Sequence, residues 1–127
     1  TPLHVAALEG KTNKVQALFK FGSNKEEKNL FGRRTALHSA AQMNMCDTIY
    51  RLVAVGANIE AKDYDGSTPL NVAAAYLKEY AVTRLIQLGA DIESKNKYRK
   101  TPLHSAVSLP ETISQEETIR ALLAYGA

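Results

Sequence analysis

The chain holds one cysteine, Cys46, and no tryptophan. A lone cysteine excludes an internal disulfide framework and any zinc site built on cysteines, and it accords with a reducing compartment. No apolar run approaches the ~18 residues needed to span a bilayer, and no charged-then-apolar leader opens the sequence. Membrane insertion is therefore not expected, and a cytoplasmic setting is. The net charge of +3 is too slight to argue for nucleic acid. Disorder is not expected either, since 45% of the 127 residues are apolar, an ordinary share for one folded domain.

What the sequence does have is a repeat. Thr-Pro-Leu-His at residues 1–4 returns as Thr35-Ala36-Leu37-His38, Thr68-Pro69-Leu70-Asn71 and Thr101-Pro102-Leu103-His104, spaced by 34, 33 and 33 residues. A glycine follows each threonine by 21 residues in three units (Gly22, Gly56, Gly89) and by 25 in the fourth (Gly126). A period of that size is the signature of a stacked-repeat architecture. The fourth unit carries four extra residues.

Each unit predicts two short helices. The threonines suit N-caps, and proline beside them suits the first helical position, where a missing N–H costs nothing. Leu3, Ala6 and Ala7 form an apolar stripe, matched by Leu37, Ala40, Ala41 and by Leu70, Ala73, Ala74. The small alanines admit a close neighbour that longer side chains would overpack. Second helices follow from Val15, Leu18, Phe19; Ile49, Leu52, Val53; Val82, Leu85, Ile86; and Ile119, Leu122, Leu123. The glycines end them at the left-handed position. Helices under ~12 residues are marginal alone in water, so each pair must lean on the next. In the fourth unit Pro110 ends the first helix, and Ser114 with Glu117 reads as a capping box for the second. The polar linkers 23–34, 57–67 and 90–100 read as β-hairpin fingers, the second turning at Asp65-Gly66 and the third leaning on Asn96.

These residues resemble the ankyrin-repeat pattern along the whole chain, with Val55-Gly56-Ala57-Asn58-Ile59-Glu60 and Leu88-Gly89-Ala90-Asp91-Ile92-Glu93 matching its tail. The resemblance implies an all-α solenoid of antiparallel helix pairs joined by β-hairpin fingers. It would form a single domain over 1–127 with repeats 1–34, 35–67, 68–100 and 101–127. Departures are local. Asn44, Leu77 and Pro110 replace the usual glycine between helices; Asn44 can turn left-handed, whereas Leu77 and Pro110 imply a different loop shape. Asn71 replaces histidine. Glu60 and Glu93 stand where many members carry asparagine, so asparagine-directed hydroxylation does not carry over.

Chemistry is not expected. His4, His38 and His104 sit one per unit, about 8–10 Å apart per step, and cannot converge on one metal that needs ligands at ~2 Å. Each instead reads as a brace on its own threonine. Cys46 reads as an inert surface or packing residue at an inter-helix turn. No catalytic residue, metal, cofactor or small-molecule substrate is expected. The residues that vary inside the fixed frame are the informative ones: one aromatic at each finger tip (Phe31, Tyr64, Tyr98) and Met43 and Tyr76 after the paired alanines. The family resemblance implies that such positions line a concave groove that binds a protein or peptide partner, and aromatics with methionine suit an interface core. Arg34, Asp65 and Lys97 add charge, with an acidic middle finger between two basic ones able to orient a partner. The expected function is a protein–protein interaction module or scaffold. The competing reading is a structural or elastic spacer in a large multidomain protein, and binding of an anionic surface through the basic fingers ranks last. The absence of a polar capping unit at either end leads to the expectation of further flanking repeats.

Overall fold

The computed structural model describes residues 1–30 and 32–127, with Phe19 described by its backbone alone. Among these residues are eight helices in four pairs: α1 (Pro2–Leu8) with α2 (Thr12–Lys20), α3 (Ala36–Gln42) with α4 (Cys46–Ala54), α5 (Pro69–Ala75) with α6 (Glu79–Gln87), and α7 (Pro102–Val107) with α8 (Ile113–Ala124). The first helices touch in the order α1, α3, α5, α7, and the second in the order α2, α4, α6, α8. The result is two helical layers, each pair packed on its neighbours.

The alanine pairs explain the spacing of the inner layer. Ala6, Ala7, Ala40, Ala41, Ala73 and Ala74 are all fully buried, so backbones meet where longer side chains would hold them apart. Leu37, Ile49, Leu52, Leu70, Leu85 and Leu122 fill the space between layers. Burial of one such side chain stabilises the fold by about 1.5–3 kcal/mol, which the six- to nine-residue inner and middle helices could not supply from their own hydrogen bonds.

Each inner helix starts as its sequence predicts. Thr68 Oγ1 accepts from the Asn71 N–H at 3.3 Å and Thr101 Oγ1 from the His104 N–H at 3.3 Å. The second helices end at glycines with φ between 88° and 99°. There the next amide folds back, as Ala57 N does to Leu52 O at 3.0 Å and Ala90 N to Leu85 O at 3.0 Å, satisfying carbonyls the helix end would leave bare.

Three expectations are revised by the structure. Leu77 does not change the loop between its helices: its φ of 56° matches Asn44 at 59° and Gly10 at 65°. The same two backbone hydrogen bonds close all three loops, as Lys78 N to Ala73 O and Met45 N to Ala40 O show; packing of the Leu77 side chain against the core offsets the left-handed backbone. Ser114 is not the cap of α8. Thr112, extended at φ −143°, holds that position and accepts from Gln115 N at 3.1 Å, so α8 starts two residues earlier and Ser114 lies inside it. Gln115, buried, then donates to Ala106 O at 3.0 Å and Leu109 O at 2.6 Å, tying the longer Pro110 loop to α7.

The fingers, finally, are turns rather than two-stranded hairpins, and no strand occurs among the described residues. A backbone bond closes each finger, Asn29 N to Arg34 O, Asp63 N to Ser67 O and Asn96 N to Lys100 O, and a turn bond lies inside the second and third, Gly66 N to Asp63 O and Arg99 N to Asn96 O. An Asx side chain replaces the rest of the ladder. Asp63 Oδ1 accepts from the Asp65 and Ser67 amides, both at 2.9 Å. Asn96 Oδ1 does the same for Tyr98 and Lys100, which is the role its sequence position predicts.

Candidate partner-binding groove

The histidines brace the frame that carries the groove. His38 Nδ1 accepts from Thr35 N at 3.2 Å and meets Thr35 Oγ1 at 2.9 Å, while Nε2 donates to Ser67 O at 2.8 Å. One ring thereby joins a helix start to the following finger. Burial pushes the pKa of His38 down to about 4, and the donor facing Nδ1 leaves no room for a second proton. His4 repeats the arrangement with Thr1 and with Arg34 O at 2.7 Å, and its pKa is likewise lowered by burial. Asn71 reproduces both halves in shorter form: Oδ1 accepts from Thr68 N at 2.9 Å, and Nδ2 donates to Ser94 O at 3.1 Å. His104 keeps the bond to Thr101 Oγ1 at 2.8 Å but is exposed.

Fingers are also strapped to one another. Glu26 Oε1 accepts from Asn58 N at 2.8 Å, and Glu60 Oε1 from Asp91 N at 2.7 Å. Nearer the tips, Tyr64 N donates to Gly32 O at 2.7 Å and Lys97 N to Asp65 O at 2.8 Å. Stacked in this way, the fingers bring side chains from successive units onto one face.

Two clusters result. In the first, the half-buried Arg34 lies 3.4 Å from Asp63 Oδ2 through Nε and donates from Nη1 to Gln42 Oε1 at 2.6 Å. Its guanidinium lies 5.7 Å from the centre of the Tyr76 ring. Arg34 thus joins two fingers to the ends of α3 and α5. In the second, the Lys97 ammonium lies 4.5 Å from the Tyr64 ring and 5.2 Å from the Tyr98 ring, with Asp65 Oδ1 at 3.2 Å. Hydrogen bonding to Asp65 raises the Lys97 pKa, so the ammonium stays charged. Tyr64 and Tyr98 remain 68% and 61% exposed, Tyr76 46% and Met43 44%. Each therefore keeps surface for a partner.

Of the eight residues singled out in the sequence, Arg34 and Tyr76 meet in one cluster, and Tyr64, Asp65, Lys97 and Tyr98 in the other. Met43, exposed, caps the end of α3 beside Gln42. Phe31 lies outside the described residues. The acidic middle finger is not as expected. Asp63 is buried against two amides and Arg34, and Glu60 is held by the next finger, which leaves Asp65, paired with Lys97, as the acid nearest the tip that faces outward. Sequence reasoning missed Gln42 and Asp63 as the anchors of Arg34; the Asp63-Tyr64-Asp65-Gly66-Ser67 turn was the available signal. It also missed Leu30, which is fully exposed beside the first finger tip.

Cys46 opens α4, and burial raises its pKa, which leaves less of the thiolate that does the chemistry. No group of three or more His, Cys, Asp or Glu placed to hold a metal occurs among the described residues, and none of their helices is long and apolar enough to cross a membrane.

Capped inner helices, paired alanines, glycine-ended outer helices and strapped fingers define a class of stacked-repeat scaffold. The chain belongs to the ankyrin-repeat family, whose three-copy repeat model matches residues 1–63 and 37–127. Among curated relatives, alpha-latroinsectotoxin-Lt1a of Latrodectus tredecimguttatus is 35% identical over 82 residues, covering 62% of this chain and 6% of that protein. Alpha-latrotoxin-Lhe1a of Latrodectus hesperus is 39% identical over 74 residues, 58% of this chain and 5% of the relative. Protein phosphatase 1 regulatory subunit 12A of Mus musculus is 45% identical over 47 residues, 37% of this chain and 5% of the relative. The chain thus spans only 5–6% of the length of these relatives.

Proposed function

We propose that this segment is a protein–protein interaction module that holds a partner in the groove between its fingers and inner helices, and that it does no chemistry itself. The observation that carries the reading is the Tyr64–Lys97–Tyr98 cluster: two rings more than half exposed, fixed by one shared ammonium on a finger stack that hydrogen bonds hold rigid. Rings held in place lose little freedom on binding, which is what makes an aromatic an effective anchor. The similarity to a phosphatase regulatory subunit fits a module that acts by holding rather than by reacting. A reducing, intracellular setting completes the reading, resting on the single Cys46.

A photo-crosslinking amino acid placed at position 64 or 98 tests it. The expected result is a defined cross-linked partner at either position and none with the same probe at position 80, where Tyr80 sits exposed on α6. Equal labelling at 64, 98 and 80 would count against the groove. A spacer is the second reading, favoured by the same finger-to-finger strap recurring from Glu26 to Asn58 and from Glu60 to Asp91. It predicts no specific cross-link at any of the three positions.

A further inference from the structure

Resting on the groove reading above, we infer that the partner segment is an extended peptide with acidic residues five or six positions apart on either side of an apolar or aromatic residue. At the finger turns the carboxylates are paired from within: Asp63 is buried on Arg34, and Asp65 pairs with Lys97. Glu26 and Glu60 keep their charge but are each held on a backbone amide of the next finger, and the exposed Glu27, Asp91 and Glu93 precede the turns in sequence. The other cations at the turns are not paired. Arg33, Lys62, Arg99 and Lys100 are exposed, and among the described residues no carboxylate lies within ion-pair distance of them. Lys28 spends one donor on Lys62 O at 2.8 Å and keeps its charge. A surface whose summed charge reads as mixed in the sequence is therefore cationic at the first and third finger turns, with exposed tyrosine between.

Spacing sets the peptide register. Arg33 and Arg99 hold the same place in their fingers, two before Thr35 and Thr101, and share a left-handed φ of 53° and 60°. Two steps of the stack separate them, about 16–20 Å at 8–10 Å per packed helix. An extended peptide covers that span in about five or six residues at ~3.3 Å each. The middle of such a peptide falls on Tyr64, on the finger between Arg33 and Arg99, with Tyr98 beside it across Lys97 toward Arg99; the rings take an apolar or aromatic side chain.

A nucleic acid or a charged membrane fits less well. A polyanion with a charge every few ångströms would meet Asp65 between the two cationic turns. The Lys97 ammonium also stands over one face of each ring, a face that a stacked base would need.

The test is selection of random dodecapeptides displayed on phage against the immobilised 127-residue chain at 0.15 M salt (roughly an 8 Å screening length). Enriched peptides are then titrated as fluorescein conjugates. The expected peptides carry Asp or Glu five or six apart around an apolar or aromatic residue. Their affinity should fall by about tenfold or more in Arg33→Glu/Arg99→Glu and comparably in Tyr64→Ala/Tyr98→Ala, with circular dichroism unchanged in both variants. Neutral or basic peptides that need the tyrosines but ignore the charge reversal would overturn the acidic partner and leave the groove standing. Peptides indifferent to both variants would overturn both. Tighter binding of a 20-residue oligothymidylate, or of phosphatidylserine vesicles, lost on the same charge reversal, would replace the peptide with a polyanion.

Discussion

His38 shows how one residue type can serve the fold while looking like chemistry. Its Nε2 must carry the proton that Ser67 O accepts, and Nδ1 must stay bare to accept from Thr35. The charged ring therefore has no place in the folded state, and the pKa falls from the ordinary 6.5 to about 4. Because the folded value lies below the unfolded one, the folded state binds fewer protons between these limits. The stabilisation is complete above pH 6.5 and is lost as pH falls toward 4, by up to about 3 kcal/mol at 1.36 kcal/mol per unit. His4, lowered in the same direction, adds to the loss. His38→Asn should copy the Asn71 arrangement, cost about 1 kcal/mol at neutral pH through its shorter reach, and flatten the acid dependence. Urea midpoints at pH 7 and pH 4.5 measure this: the wild-type midpoint should drop further than that of His38→Asn, and equal drops would contradict the assignment.

At the scale of the element, the loops reveal why some departures from the family pattern are tolerated. Asn44 turns left-handed as a glycine would, but its Oδ1 also accepts from Ala81 N at 2.8 Å. It thereby serves the start of α6, whose own N-cap Lys78 supplies no side-chain bond. Asn44→Gly should keep the loop yet destabilise the chain by about 1 kcal/mol, the usual worth of a cap, read as a lower urea midpoint; an unchanged or raised midpoint would show that the cross-unit cap carries nothing. Gly66 is the opposite case. With φ at 71°, a Cβ there would meet the Lys97 backbone nitrogen at 3.2 Å, so the Asp65-to-Lys97 approach needs glycine.

Much of this was readable in advance, and the reason is local. Thr-Pro-Leu-His, paired alanines and terminal glycines each act within one turn of chain, so the eight helices follow from sequence; Leu77 misled because its side-chain packing, not its backbone preference, decides that loop. The groove was legible only as a set of positions. Which charges face outward depends on partners some 30 residues away, such as Glu60 with Asp91 and Arg34 with Asp63, and spacing alone does not report them.

For the molecule as a whole, the arrangement is close to one-dimensional. Each helix pair packs on the pairs beside it, and stability is the sum of units and interfaces. Such a stack offers length, a rigid face and repeated places to vary a side chain. Tyr50 and Tyr80 on the second helices are exposed as well, Tyr50 with Arg84 at 5.9 Å. Exposure alone does not therefore choose the binding face. We propose the finger face as the binding one because rings, cations and the ends of the inner helices converge there.

Amide chemical-shift mapping of the 127-residue chain, titrated with an acidic peptide bearing a central aromatic, tests that choice most directly. The expected shifts concentrate at Arg33, Arg34, Met43, Tyr64, Tyr76, Lys97, Tyr98 and Arg99, with Tyr50 and Tyr80 unmoved. Shifts concentrated on α4 and α6, with the finger residues silent, would contradict it.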